Sequence, residues 1–171
     1  MAASEQGVAQ SAGRYTLIPR VLCFITHGRD VLLLKGAPTK RVWPGKYNGI
    51  GGHVERDEGV RAAMLREVRE ETGLAVSDLR LRGVTNIDAG PAAGILMFVF
   101  TAHAAGREVA ASPEGTPEWF PVDQIASLDL VEDLPVLIPK VLATPDGQAP
   151  FWAHYHYDGD RLVMEFEEGE T

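Results

Sequence analysis

Apolar positions along the chain change period several times, and each change marks an element. From Tyr15 to Thr26 and from Val31 to Lys35 the residues are mostly apolar, β-branched or aromatic. Two strands are expected there, joined by the turn tetrad His27-Gly28-Arg29-Asp30 as a hairpin. Pro38, Pro44 and Gly45 mark Gly36 to Lys46 as a loop, which feeds a short extended stretch from Tyr47 to Val54. The period then lengthens. Val60, Met64 and Val68 recur every fourth residue, predicting a helix from Asp57 or Glu58 to Thr72, with Gly73 as the residue just past its end.

Strand composition returns in Leu79 to Ile87 and Ile95 to His103, with a Gly90-Pro91 turn between them, and in the short piece Trp119 to Pro121 before an Asp123-Gln-Ile-Ala turn. Leu134 to Ala143 has helical apolar spacing. Pro135 fits near a helix start, whereas Pro139 is expected to kink or break the helix. Phe151 to Tyr157 and Leu162 to Phe166, split by Asp158-Gly159-Asp160, form a closing hairpin. No internal repeat is visible. The elements sum to an α+β domain over residues 14–171, after a small, polar stretch, residues 1–13, that reads as a disordered tail.

The helix over Val60 to Thr72 also carries chemistry. At 100° per residue Glu67, Glu70 and Glu71 share an arc of about 100° that runs into the Val60, Met64 and Val68 stripe. These acids therefore turn toward the protein body. Two carboxylates ~4 Å apart repel by about 4 kcal/mol at an effective dielectric near 20, so three at the edge of a core call for a neutralising partner. A hard divalent cation such as Mg²⁺ suits such oxygen ligands when the substrate brings phosphate. The plain alternative is a solvated helix laced with pairs such as Arg66 and Glu70 at i,i+4.

Gly52, five residues, Glu58, seven residues, then Arg66-Glu67-Val68-Arg69-Glu70-Glu71-Thr72-Gly73-Leu74 resembles the Nudix box at every specified position. The resemblance implies an α/β/α sandwich around a mixed sheet, and Mg²⁺-dependent hydrolysis of a phosphoanhydride, with Mn²⁺ as a substitute. It implies Glu67, Glu70 and Glu71 as metal-binding acids, Glu70 foremost, with the Gly52 carbonyl as a backbone ligand. Glu67 or Glu71 then orients or deprotonates water, and Arg66 and Glu58 brace the loop and helix. A further metal-binding glutamate is expected at Glu114, with Glu118 competing for that role.

Residues 15 to 168 resemble the MutT and mammalian 8-oxo-dGTPase branch of that family in further places. Tyr47-Asn48-Gly49-Ile50-Gly51-Gly52 is similar to the segment whose asparagine reads the purine, and an asparagine offers both donor and acceptor to a purine edge. Trp119-Phe120, Asp123-Gln124-Ile125 and the aromatic run Phe151 to Tyr157 also match. By the same resemblance Glu132 and Asp133 contact the base. Adjacent acids on a pocket wall raise one pKa, so that one is protonated and donates to a purine carbonyl. Trp43 is a candidate stacking face, and His53 a candidate phosphate contact. Glu132 replaces an aspartate of the pattern and Leu130 a stacking tryptophan, departures that touch base choice more than catalysis.

A net charge of −8 argues against a nucleic-acid surface and for a small anionic nucleotide that carries its own metal. No apolar run of membrane-spanning length and no signal-peptide pattern is present, so the expectation is a cytoplasmic protein without a membrane partner, monomeric or homodimeric. Cys23 is alone, which excludes an internal disulfide, and its apolar neighbours suggest a buried thiol. His154 and His156 share one strand face but show no third metal ligand along the sequence. The function expected is a nucleoside triphosphate pyrophosphohydrolase, releasing NMP and pyrophosphate and favouring oxidised purines such as 8-oxo-dGTP. The alternatives are a Nudix enzyme for ADP-ribose, dinucleoside polyphosphates or capped RNA ends, and a noncatalytic nucleotide-sensing domain.

Overall fold

A computed structural model describes residues 13–167. The tail expected over residues 1–13 lies outside them except for Gly13. Nine strands form one mixed sheet: β1 (Thr16–His27), β2 (Asp30–Gly36), β3 (Tyr47–Asn48), β4 (Ile50–His53), β5 (Val76–Ile87), β6 (Ala93–Ala104), β7 (Gly115–Pro121), β8 (Phe151–Asp158) and β9 (Arg161–Glu167). The main path runs β3-β2-β1-β6-β5-β8-β9, with β4 paired to β1 and β7 to β2. The β1–β6 and β5–β8 pairs are parallel and the rest antiparallel.

Alternation along β1 divides the molecule into two layers. Val21, Cys23 and Ile25 face α1 (Val60–Thr72) and pack with its Ala63, Met64 and Val68. Leu22 and Phe24 face α2 (Leu134–Ala143) and pack with Leu134, Leu137, Ile138 and Val141. One helix on each face of a mixed sheet is the expected α/β/α sandwich. Among the described residues no helix is long and apolar enough to cross a membrane.

Four expectations need correction. The helix α1 starts at Val60, after Gly59 in an extended N-cap conformation, and not at Asp57 or Glu58. Glu58 instead closes a turn, its Oε1 accepting the Glu55 N–H at 2.9 Å. The stretch Tyr47 to Val54 is two short strands with different partners, broken at the buried Gly49, where a Cβ would meet Leu22 Cδ1 at 2.8 Å. The strand around Trp119 extends back to Gly115 because β2 supplies seven paired residues. Finally, α2 runs through Pro139. The carbonyl four residues earlier belongs to Pro135, and both prolines are on the exposed side, where water replaces the missing hydrogen bond.

The hairpin β8–β9 is anchored where Phe151 lies against Gly83 of β5: a Cβ on Gly83 would come 2.1 Å from the Phe151 ring. Gly83→Ala is expected to destabilise the protein by about 1–3 kcal/mol, since the ring must shift within a packed layer. Urea denaturation measures this; an unchanged midpoint would show that the contact does not hold the hairpin.

Candidate active site

The site is built where α1 meets β4. Gly51 lies so close to β1 that a Cβ would fall 2.0 Å from the Val21 carbonyl oxygen, and a Cβ on Gly52 would fall 2.3 Å from Glu67 Oε1. A side chain at Gly51 would collide with the β1 backbone, and one at Gly52 would displace the Glu67 carboxylate. With glycine in both places the backbone approaches the acids directly, and the Gly51 N–H donates to Glu71 Oε2 at 2.9 Å. Glu71 is only 2% exposed.

Arg66 organises the other acids. Its Nε and one terminal nitrogen hold Glu58 bidentately at 3.1 and 2.6 Å, while its NH1 nitrogen donates to Glu67 Oε1 and Glu70 Oε2, each at 3.0 Å. The other terminal nitrogen also reaches the His53 carbonyl at 3.0 Å, tying the end of β4 to α1. The guanidinium keeps Glu58 below the usual carboxylate range. Glu67 is pushed above its ordinary value, chiefly by burial. Burial also dominates at Glu71, whose carboxyl is pushed up to about 7, against the Gly51 N–H and with Glu67 adding to the rise. Glu70 lies more in the open, its side chain 59% exposed against 13% for Glu67.

Three carboxylates on one guanidinium, with Glu71 close by, leave surplus negative charge. The oxygens of Glu67, Glu70 and Glu71 are not drawn to one point; Arg66 holds the first two and Gly51 the third. A donor set of oxygens only, beside a glycine whose missing Cβ leaves room against Glu67, fits a hard divalent cation. Glu114 joins this group. It precedes β7, its carboxylate is 2.8 Å from Lys40 Nζ, and its charge bears on both Glu67 and Glu71. Glu118 does not join it, accepting instead from the Tyr47 hydroxyl at 3.0 Å.

A cleft opens next to Glu71, lined also by Lys40, Trp43, Asn48, Gly51 and Val131. Trp43 has φ +53° and is 43% exposed at its rim. Asn48 Oδ1 accepts the Gly49 N–H at 2.8 Å, so the side chain supports its own turn while its amide nitrogen is left to donate. Tyr47 donates its N–H to the Asp129 carbonyl and accepts from the Val131 N–H, at 2.9 and 3.0 Å. Those bonds bring the approach to α2 alongside Asn48. Asp133 caps α2 half-buried, its carboxyl pushed up to about 6 by burial first and the Glu132 charge second. Glu132 accepts from the Tyr157 hydroxyl at 3.2 Å. Leu130 is buried in the α2-side core and offers no stacking face. The His53 side chain is exposed.

Two residues here escaped sequence reasoning. Lys40 sat in an unpatterned loop, and nothing local announced its pairing with Glu114. Arg20 was legible: it alternates with Leu22 and Phe24 on β1, a cation on an apolar face. It is half-buried, and its Nε has no hydrogen-bond partner.

Comparison with known proteins identifies the family and the fold. The chain is 33% identical over 114 residues to an NAD-capped RNA hydrolase NudC of Stutzerimonas stutzeri, a match covering 66% of this chain and 39% of that one. The chain thus spans less than half the length of such relatives. It is 28% identical over 140 residues to an oxidized purine nucleoside triphosphate hydrolase of Danio rerio, covering 81% of this chain and 87% of that one. The MutT protein of Bacillus halodurans superposes with a TM-score of 0.74 at 25% identity, over 88% of this chain and 98% of that one. The NUDIX domain model matches residues 16–141, from β1 through the glutamate helix into α2, and the chain belongs to the Nudix family.

Proposed function

We propose that the chain is a Mg²⁺-dependent nucleoside triphosphate pyrophosphohydrolase that converts NTP or dNTP to NMP and pyrophosphate and favours oxidised purines such as 8-oxo-dGTP. The observation that carries the base assignment is Asp133, half-buried at the cap of α2 with its carboxyl pushed up to about 6. A carboxyl so raised keeps a protonated fraction near neutrality that an ordinary aspartate lacks, and that form donates to a purine carbonyl. Asn48 adds a donor from the strand tied to the same segment. Relatives named as oxidized purine nucleoside triphosphate hydrolases, in Danio rerio and Mus musculus, support the reading.

Glu67, Glu70, Glu71, Glu114 and the Gly52 carbonyl would hold the metal, and when bound it would supply charge for the phosphate oxygens and acidity for a water. The protein's own groups do the rest. Arg66 aims Glu67 and Glu70 and holds Glu58 as a brace, while Lys40 keeps Glu114 at the cluster. Proton acceptance from the attacking water falls to Glu67 or Glu71, the two acids turned from solvent. Trp43 covers the base, and His53 meets the phosphates from the exposed end of β4.

A Mg²⁺ substrate panel tests this reading. The expected result is a kcat/KM for 8-oxo-dGTP at least ~10-fold above that for ADP-ribose, dinucleoside polyphosphates and NAD-capped RNA, equivalent to about 1.4 kcal/mol of transition-state binding. The reverse preference would remove the sanitising assignment, and no turnover of any nucleotide would remove catalysis.

Asp133 gives a second test, with a defined sign. A carboxyl raised in the folded state costs stability wherever it is ionised in the fold. The cost is absent below its unfolded pKa, near 4, and complete above about 6. Asp133→Asn is therefore expected to raise unfolding free energy by about 1–3 kcal/mol at pH 7.5 and by nothing near pH 3.5, while weakening preference for the oxidised purine. Chemical denaturation at the two pH values reads the first effect; an equal gain at both would show that burial of the charge is not its source.

A further inference from the structure

The face of β8–β9 opposite α2 carries three metal-binding side chains that the glutamate site does not use. Phe151 of β8 packs into the α2-side core, so His154 and His156, of opposite parity, stand on the other face. The hairpin register sets Glu165 directly across from His154. That register supplies the third ligand absent along the sequence. Glu165 Oε2 lies 3.6 Å from His154 Nδ1 and 3.9 Å from His156 Nδ1, and the imidazole rings stack at 25° with centroids 5.3 Å apart. One ligand atom from each residue falls within 4.8 Å of the others.

A second observation points the same way. His156 Nδ1 is buried and has no hydrogen-bond partner, although it faces the Glu165 carboxylate. An imidazole nitrogen shut off from water is stable when it meets a proton donor, an acceptor or a metal. In a tetrahedral site with bonds of about 2.0–2.1 Å, ligand atoms sit about 3.3–3.4 Å apart. Closing to that spacing takes a few tenths of an ångström to Glu165 and up to about 1.5 Å between the imidazoles, within reach of side chains that are 33 to 62% exposed.

We propose that His154, His156 and Glu165 form a surface site for one borderline divalent transition-metal ion of the Zn²⁺ type, with water completing the coordination. Two imidazoles and a carboxylate select such an ion over Mg²⁺, which prefers oxygen throughout. The site is separate from the glutamate cluster and does not depend on the substrate assigned above. Its ion clips β8 to β9. The same strand presents Tyr157, bonded to Glu132, on its other face, so the clip steadies one wall beside the candidate base site.

The test is Zn²⁺ titration by calorimetry of the full chain in excess Mg²⁺, which keeps the glutamates occupied, alongside His156→Ala and Glu165→Gln. The expected result is one Zn²⁺ per chain, shifts of both imidazole NMR signals, and affinity at least about tenfold weaker in each variant. The proposal is overturned if the wild type binds no Zn²⁺ below ~1 mM, or if both variants bind it as the wild type does. Nucleotide hydrolysis is expected to survive both substitutions, so failure of the site and failure of the enzyme assignment are distinguishable.

Discussion

Everything in the site depends on carboxylates held at the edge of a core with their backbone and guanidinium partners already in place. A buried carboxylate without partners costs several kcal/mol, and three of them close together would separate the helix from the sheet. The Gly51 N–H, the absent side chain at Gly52 and the Arg66 fork prevent that. The two glycines matter because they let β4 approach β1 on one side and α1 on the other. Arg66 matters because it reaches Glu58, Glu67, Glu70 and the His53 carbonyl at once, so the loop before the helix, the helix and the strand are fixed by one planar group.

The sandwich then separates two kinds of chemistry. The α1 face gathers negative charge, while the start of α2 holds Asp133 half-buried beside Glu132. The bridge between them is short: Tyr47 bonds the backbone at Asp129 and Val131, and Asn48 follows it in sequence. A ligand spanning this bridge would meet the glutamate cluster at one end and hydrogen-bonding groups at the other. The closing hairpin braces the second end through Tyr157 and the contact of Phe151 with Gly83.

Periodicity made most elements legible, because both helices and the long strands bury a regular face. The glutamate arc was legible in part: its spacing against Val60, Met64 and Val68 put it at the core edge, where Glu71 is found, whereas Glu70, expected to turn inward with it, is 59% exposed. Features set by distant partners were not legible. The break at Gly49 depends on packing under Leu22, the back-extension of β7 on pairing with β2, and the late start of α1 on a turn closed by Glu58. Pro139 misled because its cost depends on whether the orphaned carbonyl meets water, which the sequence alone does not state. The pairing of Glu114 with Lys40 and of Glu118 with Tyr47 likewise joins distant positions, which the sequence does not state. The set of His154, His156 and Glu165 needed the hairpin register.

The close approach of Gly52 to Glu67 sets where the carboxylates of the cluster stand. Gly52→Ala tests it most directly, since the added Cβ would fall 2.3 Å from Glu67 Oε1 and force the carboxylate away without touching the cleft where the base would bind. The expected result is a kcat on the best nucleotide substrate lower by about 100-fold or more, with nucleotide binding and the denaturation midpoint little changed. A variant that turns over at the wild-type rate would contradict it.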